Sequence, residues 1–434
     1  MFYSQVIDDV FEDKVAHGLS RAAFERELAR TTPALDKIRA WRADGTLPLL
    51  KLPSRRDDLD VLKPHVERFA KFEHVVVIGS GGSSMSGKTL VGLKDQGFGP
   101  AKGLPTLHFM DNVDPARFVE MTGRLPLDRT GFIPISKSGG TPETLMATFT
   151  VIAAIEAKLG KAAVAANMIA ITEPTDNPLR RLMARYGATI LDHDPKIGGR
   201  YTALSLVGAL PGMIAGVDCA ALREGAASVL DPALAAKDTK NLAPAMGAAL
   251  SVGLAKEKGV NITVLMPYAD RLETFAFWYR QIWAESLGKS GTGTTPIRAM
   301  GTIDQHSQVQ LYLGGPADKL FTLVIGETGG QGTKLTPAML AGDKALDYLA
   351  NQTMGDLLKA EADAVAATLA KKGRPVRIMR IPTVDEKVMG ALMMHYMLET
   401  MFAAELWGTD AFDQPEVEAS KVLTRQYLSQ RQKP

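Results

Sequence analysis

The chain has 434 residues, 46% of them apolar and 23% charged, with a net charge of +2 and one cysteine. This composition fits a soluble globular protein of two or three domains, or one large two-lobed enzyme, and lacks the polybasic character that nucleic acid or an acidic membrane would call for. Cys219 alone excludes an intramolecular disulfide and a thiolate metal site, and its neighbours GVDCAAL hold nothing to activate it, so it reads as an inert thiol.

The N-terminal stretch MFYSQVIDDVFEDKVAHG is acidic and mixed, without the apolar core of a signal peptide. No run reaches the ~20 apolar residues of a membrane span, so the cytoplasm is the expected location. Residues 1–45 read as helices outside the first sheet. Beyond them, short β-branched runs end in small or polar residues and give way to helical periodicity, the pattern of βαβ units around a parallel sheet. EHVVVIGSGG leads into SSMSGKTLVGLK, GFIPISKSGG into TPETLMATFTVIAAIEAKL, and NMIAITEPT into DNPLRRLMARYG, with ATILDHD following. A second series runs through VNITVLMPYA, DRLETFAFWYRQIWAESLG, KLFTLVIGE and PVRIMRIPT before a long helix. The expected fold is α/β: two tandem lobes, each a parallel sheet flanked by helices, with an added helical C-terminal arm. An Ala-rich stretch between residues 210 and 245 marks the boundary. The division is an N-terminal helical segment (1–45), a first lobe (46–215), a second lobe (216–385) and a C-terminal helix and arm (386–434).

GSSMSGKT, from Gly82 to Thr89, fits the P-loop pattern G-x-x-x-x-G-K-[ST]. In a P-loop the first glycine follows the strand directly. Here the strand ends at Ile78 and the match begins four residues later, which puts Lys88 on the second turn of a helix or later. The other reading makes Gly79, Gly81 and Gly82 a turn, with the amides of the following helix binding an anion themselves. LHFMD, ending at Asp111, could supply a magnesium-binding aspartate, but an apolar strand ending in Asp is common. A dinucleotide fingerprint would need glycine where Ser84 stands.

ISKSGGTPETL places Ser136, Lys137, Ser138 and Thr141 after a strand ending at Ile135. Thr141 can cap the next helix, with Pro142 at its first position. Hydroxyls, free amides and a helix dipole within one turn suit a phosphate monoester. The alternative is a capped helix after a Gly-Ser loop. Two such loops on adjacent strands favour a ligand, because ligands of open parallel sheets sit beyond the strands' carboxyl ends. GGRYTALS sets Arg200 after two glycines, either as a surface loop or as a planar, permanent charge for an oxyanion or enediolate. In YRQIWAESLGKSG, Glu285 ends an aromatic helix and Gln281 lies one turn earlier on the same face. A carboxylate among Phe277, Trp278 and Trp283 would hold its proton more tightly, which is useful for moving protons from carbon. The alternative is an exposed glutamate on an amphipathic helix. His306 has polar neighbours on both sides in a Gly-rich setting, whereas the other six histidines show no metal-ligand spacing. Lys421 follows an acidic, Pro-bearing turn, where a lysine is ordinarily a solvated charge.

Taken in order, IGSGGS, SKSGGTPET, GGRYTALS, ESLGKSG, QHSQVQ and FDQPEVEASK resemble glucose-6-phosphate isomerase, across residues 78–421. The SKSGGTPET loop alone occurs in sugar-isomerase domains of many functions; the ordered set is specific. The resemblance implies two sugar-isomerase domains and a glycolytic and gluconeogenic enzyme. Its reaction would interconvert glucose 6-phosphate and fructose 6-phosphate by ring opening and proton transfer through a cis-enediolate. It implies that Gly82, Ser83, Ser136, Lys137, Ser138 and Thr141 cradle the sugar phosphate, with Gln281 and Gln414 as further substrate contacts. Arg200 would face the C1 and C2 oxygens, Glu285 would be the base, and His306 and Lys421 would assist ring opening. It also implies a homodimer in which His306 reaches the site from the neighbouring subunit, with no metal and no cofactor. Three departures stand out, one of them the GKT after the first glycine loop. Gly139 and Gly140 replace bulkier residues of the family's phosphate loop, implying a more mobile loop, and Pro415 and Glu416 replace small or aromatic residues. Rival readings are an isomerase that also takes mannose 6-phosphate, a non-catalytic sugar-phosphate sensor, and a P-loop ATPase. The sensor usually carries a DNA-binding helix-turn-helix, for which no basic recognition segment is evident.

Overall fold

The computed structural model describes residues 2–431, which form two parallel-sheet lobes joined by buried helices. The chain opens with a short strand, β1 (Ser4–Val6). The first lobe is built on β2 (His74–Ile78), β3 (Thr106–Met110), β4 (Thr130–Pro134), β5 (Ile169–Thr172) and β6 (Thr189–Asp192). β2 pairs in parallel with both β3 and β4, with Val76 opposite His108 and Phe132. β5 pairs with β6, and bridges from Phe132 to Met168 and from Ile135 to Ile171 join the two groups in the order β3-β2-β4-β5-β6. Val75 to Ile78 are wholly buried, which explains a continuous apolar run where a half-exposed strand would alternate.

The second lobe contains β7 (Ile262–Pro267), β8 (Thr295–Arg298), β9 (Lys319–Gly326) and β10 (Val376–Ile381), all parallel in the order β8-β7-β9-β10. Each lobe thus starts in the middle of its sheet and places its second strand on one side and its third on the other. This is the winding that opens a cleft above the first strand.

Residues 1–45 supply two helices outside the first sheet, as expected, and one strand that was not expected. β1 adds antiparallel to β10 of the second sheet, with Gln5 opposite Met379. The helix Arg21–Ala29 packs on Ala243–Lys258, also away from the first sheet. Three residues are too short for an alternating pattern to register. β8 was also unforeseen, because a four-residue segment containing Pro296 reads as a loop. At the sheet edge a proline is tolerated.

The long helix Glu386–Trp407 is buried on nearly every side, packed against Cys219–Ala235 and Ala243–Lys258. After it, Gly408–Gln414 forms an irregular strap, and the terminal helix Pro415–Gln430 has no buried residue. Among the described residues no helix is long and apolar enough to cross a membrane.

Candidate active site

The turn after β2 is constrained by backbone on both sides. Gly81 has φ +60, and a Cβ at Gly82 would lie 1.9 Å from the Gly199 carbonyl oxygen. The close approach seats the turn Gly199–Leu204, and Arg200 with it, against the start of the helix Gly82–Val91. Lys88 falls on the second turn of that helix, and its ammonium meets Asp111 at 3.0 Å. The two charged side chains a P-loop would need for phosphate and magnesium therefore pair with one another. The Thr89 hydroxyl donates to the carbonyls of Met85 and Thr274.

Because β4 is hydrogen-bonded to β2, Ser83 and the loop Ser136–Thr141 lie beyond adjacent strand ends. Ser136 is buried, and its hydroxyl shares a 2.9 Å hydrogen bond with that of Thr141. Thr141 thus stands at the N-cap of the helix Pro142–Leu159 without its side chain capping it, and Pro142 takes the first position as expected. Lys137 Nζ is 3.7 Å from Glu173, and exposed Ser138 accepts from the Gly140 amide at 3.3 Å. Backbone hydrogen bonds hold the loop at Gly139. The Gly139 amide donates to the Ser136 carbonyl, and the Gly139 carbonyl accepts from the Leu179 amide. Gly139 has φ +63, and a Cβ there would lie 1.8 Å from Asn177 Oδ1. Glycine stands there because the Asn177 carboxamide, capping the next helix, fills the space of a side chain.

Glu285 stands in the last turn of the helix Glu273–Leu287. Its Oε1 accepts from Arg200 Nη1 at 2.9 Å and its Oε2 from Gln281 Nε2 at 3.1 Å. Arg200, 2% exposed, makes five hydrogen bonds for its five N–H groups. Nε donates to Ser286 Oγ, Nη1 to Glu285 and Gln414, and Nη2 to the carbonyls of Ala411 and Asp413. Of the three aromatic neighbours expected of Glu285, Phe277 shares its cleft wall and the two tryptophans do not. Trp278 is turned into the core and stacks on Phe275, and buried Trp283 donates its indole N–H to Thr294. The neighbouring Tyr201 is enclosed; burial pushes its phenol up to about 12, so the hydroxyl it presents to Ser286 stays neutral.

A cleft of about 740 Å³ runs from the glycine turn to this carboxylate. Gly81, Ser84 and Met85 line it from the first lobe, Gln281, Glu285 and Lys289 from the second, and Gln414 to Val417 from the strap and terminal helix. Arg200, Gln281, Glu285 and Gln414 are thus brought into one hydrogen-bonded group from three parts of the chain. Of the expected site residues, Gln281, Glu285 and Gln414 line this cleft, whereas Gly82, Ser83, Ser136, Lys137, Ser138, Thr141, Arg200, His306 and Lys421 are not among its lining residues. His306 is exposed on the short helix Ile303–Ser307, and Lys421 bonds Glu418 at 2.7 Å within its own helix. Two side chains at the site carry no expectation from sequence: Ser286, which receives Arg200, and Lys289, which reaches Asp413. Both lie in ESLGK, so the motif marked the place without showing what its serine and lysine hold. Cys219 is buried, and burial pushes its thiol up to about 12, in keeping with an inert role.

A sequence model of the family described as phosphoglucose isomerase matches residues 65–434. A glucose-6-phosphate isomerase of Rubrobacter xylanophilus is 36% identical over 408 residues, covering 92% of this chain and 93% of that protein. One of Thermus thermophilus is 34% identical, covering 94% and 98%. Among solved structures, a hypothetical protein from Thermus thermophilus superposes with a TM-score of 0.82 at 34% identity, covering 94% of this chain and 98% of that one. A glucose-6-phosphate isomerase from Chlamydia trachomatis gives 0.75 at 25% identity, covering 87% and 74%. Matched along most of its length in sequence and in fold, the chain belongs to the phosphoglucose isomerase family.

Proposed function

We propose that the chain interconverts glucose 6-phosphate and fructose 6-phosphate, with Glu285 as the base that carries a proton between C2 and C1. The carboxylate takes the C2 proton of the open-chain aldose, leaving a cis-enediolate, and returns it to C1, while the proton of the C2 hydroxyl passes to the C1 oxygen. Arg200 aims the carboxylate and sets a fixed positive charge beside the enediolate. Gly82, Ser83, Ser136, Lys137, Ser138 and Thr141, at the ends of β2 and β4, hold the phosphate, and Gln281 and Gln414 contact the sugar. Residues 46–215 thus serve as the phosphate-holding domain and 216–385 as the domain that supplies the base. The single observation that carries the reading is Glu285, fixed at both oxygens by Arg200 and Gln281, on the wall of the cleft that the glycine turn enters.

The test is a coupled assay with fructose 6-phosphate and no added metal, on wild type and Glu285→Gln, with mannose 6-phosphate as a second substrate. A general base contributes ~10²–10⁴-fold, and the variant is expected to lose a factor of that order. Near-normal turnover by Glu285→Gln removes the carboxylate from the chemistry.

The same reading makes His306 and Lys421 the pair that opens the ring, in a cytoplasmic homodimer. Support comes from His306 standing exposed outside its own chain's cleft, and from the first turn of the Lys421 helix lining that cleft. Mixing Glu285→Gln and His306→Ala subunits separates the alternatives. If His306 serves the neighbouring subunit, each hybrid dimer regains one intact site and activity returns; if it serves its own chain, the mixture stays inactive.

A further inference from the structure

The strap Gly408–Gln414 is held by two cations. Arg200 Nη2 donates to the carbonyls of Ala411 and Asp413, and Lys289 Nζ donates to the carbonyl of Asp410. Lys289 also meets the Asp413 carboxylate at 2.6 Å, and its own side chain is only 9% exposed. Phe412 of the strap packs edge-on to Trp41 and tilted against Tyr201. Lys289 stands just past the end of the helix that carries Glu285, and the strap ends at Gln414, which accepts from Arg200 at 2.9 Å. The terminal helix that follows has no buried residue, so the strap is what fixes its first turn against the cleft.

We infer that Lys289 is a positioning residue: through Asp413 and the Asp410 carbonyl it locks the strap to the Glu285 helix, so that Gln414 and the base keep one geometry. A nearly buried ammonium on a carboxylate and a carbonyl is a strong, directional tie. Arg200 alone cannot do the same, because its guanidinium reaches the strap from the first lobe and leaves Asp410 and the Asp413 side chain unheld. The inference rests on the isomerase reading for its catalytic consequence, but not for the anchoring itself.

The experiment uses the full chain with Lys289→Met, Lys289→Arg, Asp413→Asn and the double variant Lys289→Met/Asp413→Asn. A misplacement of about 1 Å at a catalytic group costs on the order of a hundredfold. Lys289→Met is expected to lose about ten- to a hundredfold in kcat, with KM moving much less. Lys289→Arg should recover most of that loss. The double variant should be no worse than Lys289→Met, because both changes break one contact. Hydrogen exchange at residues 408–414 should quicken in Lys289→Met while the buried helix Glu386–Trp407 stays protected. Wild-type kcat in Lys289→Met, multiplicative losses in the double variant, or unchanged exchange across the strap would each overturn the inference. If Lys289→Met fails to fold, Asp413→Asn, at an exposed carboxylate, must show the same faster exchange. If the wild type itself does not turn over fructose 6-phosphate, the isomerase reading falls, and the exchange measurement still decides whether Lys289 holds the strap.

Discussion

Arg200 and Glu285, contributed by separate lobes, meet through one 2.9 Å hydrogen bond from Nη1 to Oε1, and the same nitrogen also reaches Gln414. The arginine is enclosed while the carboxylate keeps 26% of its side chain exposed toward the cleft. Arg200→Met would take one donor from each of Ser286, Gln414, two strap carbonyls and Oε1 of Glu285, leaving the carboxylate only Gln281. Breaking a buried ion pair from one side typically costs ~3–5 kcal/mol, and a loss of stability of that order is expected in urea unfolding. Arg200→Lys keeps the charge but offers three donors on a point ammonium where five are used in a planar fork. It is expected to lose at least about a hundredfold in turnover, through a misplaced Glu285 and strap. Wild-type activity in Arg200→Lys would mean that the fork geometry is irrelevant to the reaction.

A second prediction concerns the phosphate loop. Gly139→Ala places a methyl against the Asn177 carboxamide in a backbone conformation with φ +63. Left-handed backbone at a non-glycine residue costs of the order of 1–3 kcal/mol, and the collision must push the loop off Asn177. The KM for sugar phosphate should rise several-fold while kcat, set at Glu285, changes less. Measured steady-state constants decide it; an unchanged KM would argue that this loop does not hold the phosphate.

Much of this was legible in the residues, and the reasons differ from place to place. The strands β2, β4, β7 and β9 lie in sheet interiors, so burial imposed a predominantly apolar signature on each. β1 and β8 were hidden because three or four residues at a sheet edge impose no pattern of their own. The resemblance carried the site residues as an ordered set, but not their contacts. That Arg200 spends all five donors within the protein follows from the strap folding back after a long buried helix, a relationship more than 200 residues apart in sequence. Helical geometry reduces the expected aromatic bed of Glu285 to Phe277, which lines the same cleft. Trp278 and Trp283 share the helix with it but point to the core side, and the carboxylate points to the cleft.

The glycine-rich match that ends in Lys88 and Thr89 gives a third prediction. Lys88 is paired with Asp111, and Arg117 holds the other oxygen of that carboxylate at 3.3 Å. Lys88→Ala therefore leaves Asp111 with a cation. A partly exposed pair of this kind is worth ~1 kcal/mol or less. Fructose 6-phosphate turnover should stay within about threefold of wild type, and titration with magnesium-ATP should show no tight binding. Tight nucleotide binding by the wild type, lost in Lys88→Ala, would restore the nucleotide reading.

The last prediction concerns acid stability and lies far from the cleft. Tyr3, next to β1, donates to His395 Nδ1 at 2.6 Å, and His395 Nε2 donates to Glu399 at 2.8 Å. Glu399 in turn accepts twice from Arg377 of β10 at 2.9 Å. All four side chains are enclosed between the long buried helix and the second sheet. Burial holds the His395 imidazole below its ordinary value of 6.5, although the Glu399 bond pulls the other way. The unfolded chain therefore takes up a proton near 6.5 that the folded one refuses, and the stability from this site is present above that pH and declines below it. Burial pushes the Glu399 carboxyl up, but Arg377 and His395 outweigh it and hold it below its ordinary 4.5, so a further loss sets in on acidification through that range. Each proton taken up contributes at most about 1.4 kcal/mol per pH unit. Urea midpoints should fall between about pH 7 and 5. His395→Gln should be less stable than wild type at pH 7, yet show a shallower decline. The slope should not vanish, because burial also lowers His193. Equal slopes in the two proteins would mean that His395 binds its proton alike in the folded and unfolded chain, and would place the acid sensitivity elsewhere.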